Sequence, residues 1–362
     1  GLPIHSHQAV DAVLQQIFAV NPIHPAHHYR IHLWDGKKAK VALDSAAKLG
    51  HTASGIAHMW HMPGHIYSKL KRWDDSAFAQ EASARTDHNY MITRRVLPDQ
   101  IHNYAHNNEW LCRNWMNLGR AHDALGMARS LLANPRHPRL NTLTKGGRSA
   151  KYGRTRIFEV LKRFELWDET LRLADTPYLE PTPRREEQLK RLRLLGHAHF
   201  GTGSLDGVRS VDQEIAKLLD TATGEKEKAE KEAREKAEKE KKNEKDTKKL
   251  VKEAGKKPGE WVNSVEKARQ ALSCFVALLE NNSEEAKKHL GAVQGDKYTL
   301  ARLHLRAGDQ EKALSLSEEA VKSGEKRVLP LLARIEILHA TDKKEEVKKA
   351  FDLLSPISAY LD

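Results

Sequence analysis

The stretch LGRAHDALGMARSLLANP, Leu118 to Pro135, decides the fold. A glycine closes one helical pattern, an acidic residue follows, and small residues such as Ala124 and Ala128 then recur at helical spacing, on one face of the next helix. Small faces let two helices approach closely. The same grammar returns in LKRWDDSAFAQEASARTD (Leu70 to Asp87), with Ala77, and in RAGDQEKALSLSEEAVKSG (Arg306 to Gly324), with Ala313. Fainter copies are WDGKKAKVALDSAAKLG (Trp34 to Gly50) and LKRFELWDETLRLAD (Leu161 to Asp175). A repeated helix–turn–helix unit predicts an array in which each unit buries its face on its neighbours.

These stretches resemble the tetratricopeptide repeat (TPR) superfamily. The resemblance implies an all-α, TPR-like α-solenoid of antiparallel helix pairs, with the first helix of each pair lining a concave groove. The segment HMPGHIYSKLKRWDDSAFAQEASARTDHNY, His61 to Tyr90, is similar to a histidine-bearing bacterial branch in which an HMPxHIY phrase precedes a repeat turn. Some members of that branch carry a thiol-redox domain, so a thiol-redox partner is among the expectations. TPR proteins have many functions, so activity must be argued from side chains.

Composition agrees with a helical array. Of 362 residues, 39% are hydrophobic, 30% charged and only 6% aromatic, which fits a helix-rich folded chain rather than a disordered one. No apolar run approaches the roughly 20 residues that cross a bilayer, so no membrane span is expected. The start, GLPIHSHQAV, lacks the charged and apolar regions of a signal peptide. An extracytoplasmic bacterial setting is favoured over the cytoplasm, on the strength of the metal chemistry below.

The net charge of +12 has two local sources. Thr221 to Lys257 is a Lys/Glu run whose opposite charges, three and four residues apart, stabilise a solvated helix. It lacks an apolar stripe and is expected to project, with Gly255 to Trp261 (GKKPGEW) breaking the helix. The expected division is an N-terminal array over 1–221, a charged helical insertion over 222–260 and a C-terminal array over 261–362. Pro135 to Phe158 contains no acid and is expected to be a basic, anion-contacting connection. No aromatic platform interleaves these charges, so nucleic acid is not the expected partner. Cys112 and Cys274 form no CxxC pair, which argues against a disulfide framework or a thiolate metal site.

Fifteen of the twenty histidines lie at or before His137. His28 and His32, His61 and His65, and His102 and His106 are each four residues apart, so both rings of a pair share a helix face. Within HMWHMPGH, His58 to His65, groove positions counted back from the turn at Lys71 fall on His58, His61 and His65. Counted back from Gly119 they fall on His106, Glu109 and Arg113. His28 and His32 sit about two residues out of that register and form a second set. Pro63 must either start the helix or kink it. Met59, Met62, Trp60, Tyr67 and Trp110 read as core or groove wall, and Asp87 with His88 as a helix-end pair.

Imidazole without thiolate suits copper, iron, zinc or nickel. The surplus of rings favours a dinuclear centre or one metal with a proton-handling surround. The resulting expectation is a metal-dependent oxidase or oxygenase with copper or iron, zinc and hydrolysis standing second. Its metal ligands would be His58, His61, His65, His102, His106, His28 and His32. Glu109 would be a carboxylate ligand or general base, and Arg113 the anchor for an anionic small molecule or peptide in the groove. The alternative is a non-catalytic TPR scaffold that binds a peptide or protein. No dinucleotide turn, phosphate loop, HExxH or nucleophile elbow is present.

Overall fold

A computed structural model describes residues 6–323 and 328–356. Among these residues are seventeen α-helices, three short 3-10 helices and no strand. The chain falls into two compact units, one formed mainly by Gly1–Val160 and one by Leu161–Glu325 with Leu329–Asp352. The first carries α1 (His7–Val20), α2 (His27–Asp35), α3 (Leu43–Thr52), α4 (Ala57–Lys69), α5 (Trp73–Arg94), α6 (His102–Leu118) and α7 (Ala121–Ala133), and α8 (Ser149–Arg163) spans the boundary. In the second unit follow α9 (Trp167–Leu173), α10 (Arg185–Gly201), α11 (Leu205–Lys239), α12 (Glu244–Leu279), α13 (Ser283–His289), α14 (Lys297–Arg306), α15 (Gln310–Ser323), α16 (Val328–Ala340) and α17 (Lys344–Leu354). No helix among the described residues is long and apolar enough to cross a membrane.

Within each unit, helices pack chiefly on their neighbours in sequence, as in an α-solenoid. In the first unit α4 packs on α5, α5 on α6 and α6 on α7, and in the second α10 packs on α11 and α14 on α15. The turns share one device. Arg72 N donates to Tyr67 O at 2.9 Å and Arg120 N to Trp115 O at 3.0 Å. The same six-residue closure joins Leu166 to Leu161, Ser204 to His199, Asn282 to Ala277, Asp309 to His304 and Lys343 to Leu338. Each closure needs a left-handed residue just before its donor. Those residues are Lys71, Gly119, Glu165, Gly203, Asn281, Gly308 and Asp342, with φ from 54° to 88°. Ala77, Ala124, Ala128 and Ala313 are all buried, so the small residues do line the helix contacts.

The core of the first unit holds Ile31, Leu49 and Ile66, all fully buried, with Met62 and Tyr67 in the same cluster and Met59 packed against it. The second unit is built around Leu192, Val208, Ile215, Leu272 and Phe275.

The Lys/Glu segment differs from expectation in two respects. Gly255 to Trp261 does not break the helix: α12 continues through it with Pro258 inside. The segment also packs on itself, for α11 and α12 form an extensive helix pair. Within the Lys/Glu segment they do so through Ala233, Ala237 and Gly255, all buried, while Val208, Ile215, Leu272 and Phe275 pack the other end of the pair. A side chain on Gly255 would place its Cβ 2.6 Å from Glu230 Oε1, so glycine permits the close approach. That packing, with good helix formers on both sides, outweighs the one hydrogen bond Pro258 removes. Helix α11 runs unbroken through residue 221 and α12 through residue 260.

Candidate metal centre

Helix α4 is where the sequence concentrates its histidines, and three buried polar residues of α5 hold it in place. Ser83 Oγ donates to Ala57 O at 2.7 Å, Gln80 Nε2 to His61 O at 3.2 Å and Ser76 Oγ to Gly64 O at 3.1 Å. All three side chains are fully buried, so each contact satisfies groups that would otherwise be costly. Gly64 makes this possible. A Cβ there would lie 2.2 Å from Gln80 Nε2. The helix continues through Pro63, so His58 and His61 belong to α4 itself and not to a preceding loop.

Helix α2 brings His28 and His32 against this face. Their Nε2 atoms are 3.2 Å apart, and the His28 ring packs edge-on to His58 at a centroid distance of 5.1 Å. One ligand atom from each of His28, His32 and His58 lies within 4.8 Å of the others. These three imidazoles, drawn from two helices, form a group able to hold a metal ion. His32 is exposed and the other two are half-buried, so the group opens to solvent on one side. The donor set fits a borderline transition metal, since neutral imidazole nitrogens are its ordinary ligands. Burial, with His32 and His58 adding to it, pushes His28 down to about 4. Burial and His32 lower His58 as well. Both rings are therefore neutral, lone pair available, at pH 7.

The imidazoles continue along α4. His58 stacks at 6.0 Å on His61, whose Nε2 lies 2.9 Å from His65 Nε2. His106 of α6 stands 4.9 Å from His61, and Trp110 covers the His65 ring at 4.6 Å. Burial first, and then His65, push His61 down to about 3, and burial holds His65 near 4 against the pull of Asp35. The side chain of His102 lies outside the described residues.

Glu109 faces a different partner. Arg156 donates to its Oε2 from Nε at 2.9 Å and from a second guanidinium nitrogen. Glu109 Oε1 is 4.0 Å from His106 Nδ1. Arg113 stacks on Trp110, 3.8 Å from the ring centroid, and donates to Ser68 Oγ at 3.3 Å, leaving its buried Nε without a hydrogen bond. The acid-free stretch is exposed over residues 135–140, makes contacts to Asp99, and is helical only from Ser149. Arg148 donates to Asp99 O, Asn141 and the backbone of His137 donate to the Asp99 carboxylate, and residues from Ser149 onward form α8. Asp87 is buried against Asn107 Nδ2 at 2.9 Å, and that burial raises it to about 6. Cys112 and Cys274 are fully buried and pushed up to about 12 by burial, so neither thiol is reactive.

Two members of the site were not named from the sequence. Gln80 receives His61 Nδ1 at 2.8 Å on its Oε1, and Asp35 Oδ2 lies 3.6 Å from His65 Nδ1. The one available signal was Gln80 itself, a large polar residue among the alanines and serines that α5 buries between Ser76 and Ala84.

No protein-family model matches the chain, and no curated protein matches it. A solved structure described as Naa15/Naa10 bound to HypK-THB is similar at 15% identity with a TM-score of 0.20, covering 98% of this chain and 61% of that one. The chain therefore spans about three fifths of the length of that structure's chain. A likeness of this size carries no inference about chemistry.

Proposed function

We propose that this helical-repeat protein is a transition-metal oxidoreductase whose ion is held by His28, His32 and His58. The observation that carries the reading is the convergence of three imidazole nitrogens, from two helices, within 4.8 Å. Three protein ligands with an open side resemble a working site rather than a closed structural one. The donor set favours copper over iron, because the three-ligand facial iron site uses a carboxylate in one position. A bound copper ion would supply one-electron redox chemistry at the open side. The protein's own contribution is to fix two imidazoles on α2 against one on α4 and to keep His28 and His58 neutral. Arg113, half-buried and stacked on Trp110, is the proposed anchor for the carboxylate or phosphate of a small molecule or peptide. Glu109, held by Arg156, acts through His106.

The test is oxygen uptake by copper-loaded protein in the presence of a small-molecule reductant, with His58→Ala alongside. The reading expects turnover in the wild type and its loss in the variant. Copper-loaded wild type that consumes no oxygen above free copper would turn the reading to the alternative, a scaffold with a structural metal.

A further inference from the structure

We infer that His61 and His65 hold a second metal ion, next to the His28–His32–His58 site, with Gln80 and Asp35 as the residues that position its ligands. The inference rests on the proposed metal function and adds a second ion to it. Gln80 is fully buried and its amide is fixed at both ends. Its Nε2 donates to the carbonyl of His61, which only accepts, so its Oε1 must face the other partner, His61 Nδ1. That nitrogen therefore carries the proton, and the His61 Nε2 lone pair points at His65 Nε2, 2.9 Å away.

The remaining proton of the neutral pair has no comfortable place. Put on His65 Nε2, it leaves the His65 Nδ1 lone pair facing the Asp35 carboxylate at 3.6 Å. On His65 Nδ1 it faces the Asp35 carboxylate, which Lys69 Nζ also meets at 3.0 Å, but two lone pairs then face each other at 2.9 Å. A cation between the two Nε2 atoms removes the conflict. Metal–nitrogen bonds of about 2.0–2.1 Å hold two nitrogens roughly 3 Å apart, which is the separation found. The Gln80 contact is also the kind a metal-bound histidine ordinarily makes, its second nitrogen donating to a carbonyl or carboxylate oxygen, and Asp35 stands 3.6 Å from the second nitrogen of His65. The His28–His32 pair shows the same i, i+4 approach at 3.2 Å. His58 and His61, three residues apart on α4, would then belong to neighbouring ions. The His106 ring stands 4.9 Å from that of His61.

The experiment is titration of metal-stripped, untagged protein with cobalt(II), counting bound ions by elemental analysis and following the visible absorption of the bound metal. Wild type should bind two equivalents, and His28→Ala and His61→Ala one each. Gln80→Leu should weaken the second equivalent at least tenfold, while Gln80→Glu, which can still accept from Nδ1, should keep it with a shifted absorption band. Circular dichroism of each variant confirms that α4 and α5 remain folded. One equivalent in wild type, kept by His61→Ala and lost by His28→Ala, overturns the second site and leaves the first. One equivalent lost by His61→Ala and kept by His28→Ala overturns the first site and leaves the second. No bound ion overturns both.

Discussion

Neighbouring histidines in this chain have different fates, and burial with hydrogen bonding separates them. His27 is fully buried, stacked on Phe18 at 3.9 Å, with Nδ1 on Ser45 Oγ and Nε2 on Pro22 O, each at 2.9 Å. It is a core residue with both nitrogens used. His28, the next residue, turns its Nε2 to His32 instead. Sequence spacing identified the i, i+4 pairs but could not rank them, because ranking depends on helix rotation. The counted register set His28 and His32 apart from α4, and the packed helices bring them onto His58. Gln80 and Asp35 escaped notice because their roles exist only across helix contacts. Gly64 is the residue on which the arrangement most depends. Gly64→Ala should destabilise the protein by about 1–3 kcal/mol, as overpacking does in a filled core, measured by chemical denaturation. An unchanged midpoint would show that Gln80 can move aside freely.

A second residue-scale prediction concerns acid stability. His197 is buried between Trp167 and Phe275, and burial, with Lys162 and Arg193 adding to it, pushes it down to about 3. Its folded value lies below the unfolded value of about 6.5, so the unfolded chain takes up the proton first. Its contribution is thus fully present above pH 6.5 and is lost as the pH falls toward 3. Replacing it by Phe should flatten the fall in stability between pH 6.5 and 4 in denaturation series at several pH values. The other lowered histidines will continue to contribute. A slope identical to the wild type would mean that His197 is protonated in the folded protein.

At the scale of elements, the repeat grammar was legible because a turn residue, an acid and small residues recur together. Copies at Gly203, Asn281 and Asp342 were not singled out, although the same hydrogen bond closes each. After Asn281 and Asp342 the small residues are diluted by lysine and glutamate, which hide periodicity, and after Gly203 valines stand where alanines would. The reading of GKKPGEW failed for a related reason. Proline and glycine report local preference, and the helix there is decided by packing of α12 on α11. Pro258→Ala should therefore raise stability, by roughly 2 kcal/mol, since it restores a helical hydrogen bond and removes a clash. A fall in stability would place a kink at Pro258 that the packing requires. Removing the tip of the hairpin, Lys226 to Glu253, with a short Gly/Ser turn in its place, should leave metal content unchanged and cost little stability. The segment buries mostly alanine and its exposed ion pairs are worth little. Loss of metal in that variant would tie the hairpin to the site.

For the whole molecule, neighbour-on-neighbour packing explains how a metal site can be assembled from distant parts of the sequence. Within the first unit α2 also packs on α4 and α4 on α6, so the three helices each add imidazole to that unit while α5 fixes the aim of His61. The central claim is that His28, His32 and His58 bind one ion together. The most direct measurement is the copper affinity of untagged protein, by competition with a chelator of known strength, in wild type, His28→Ala and His58→Ala under conditions where the His61–His65 pair has been removed by His61→Ala. Loss of a ligand should cost at least the roughly 10–100-fold that follows from disturbing its supporting contacts. His28→Ala and His58→Ala, on different helices, should each weaken copper binding by at least that factor. Undiminished affinity in His58→Ala would overturn the claim, reducing the site to the His28–His32 pair on a single helix.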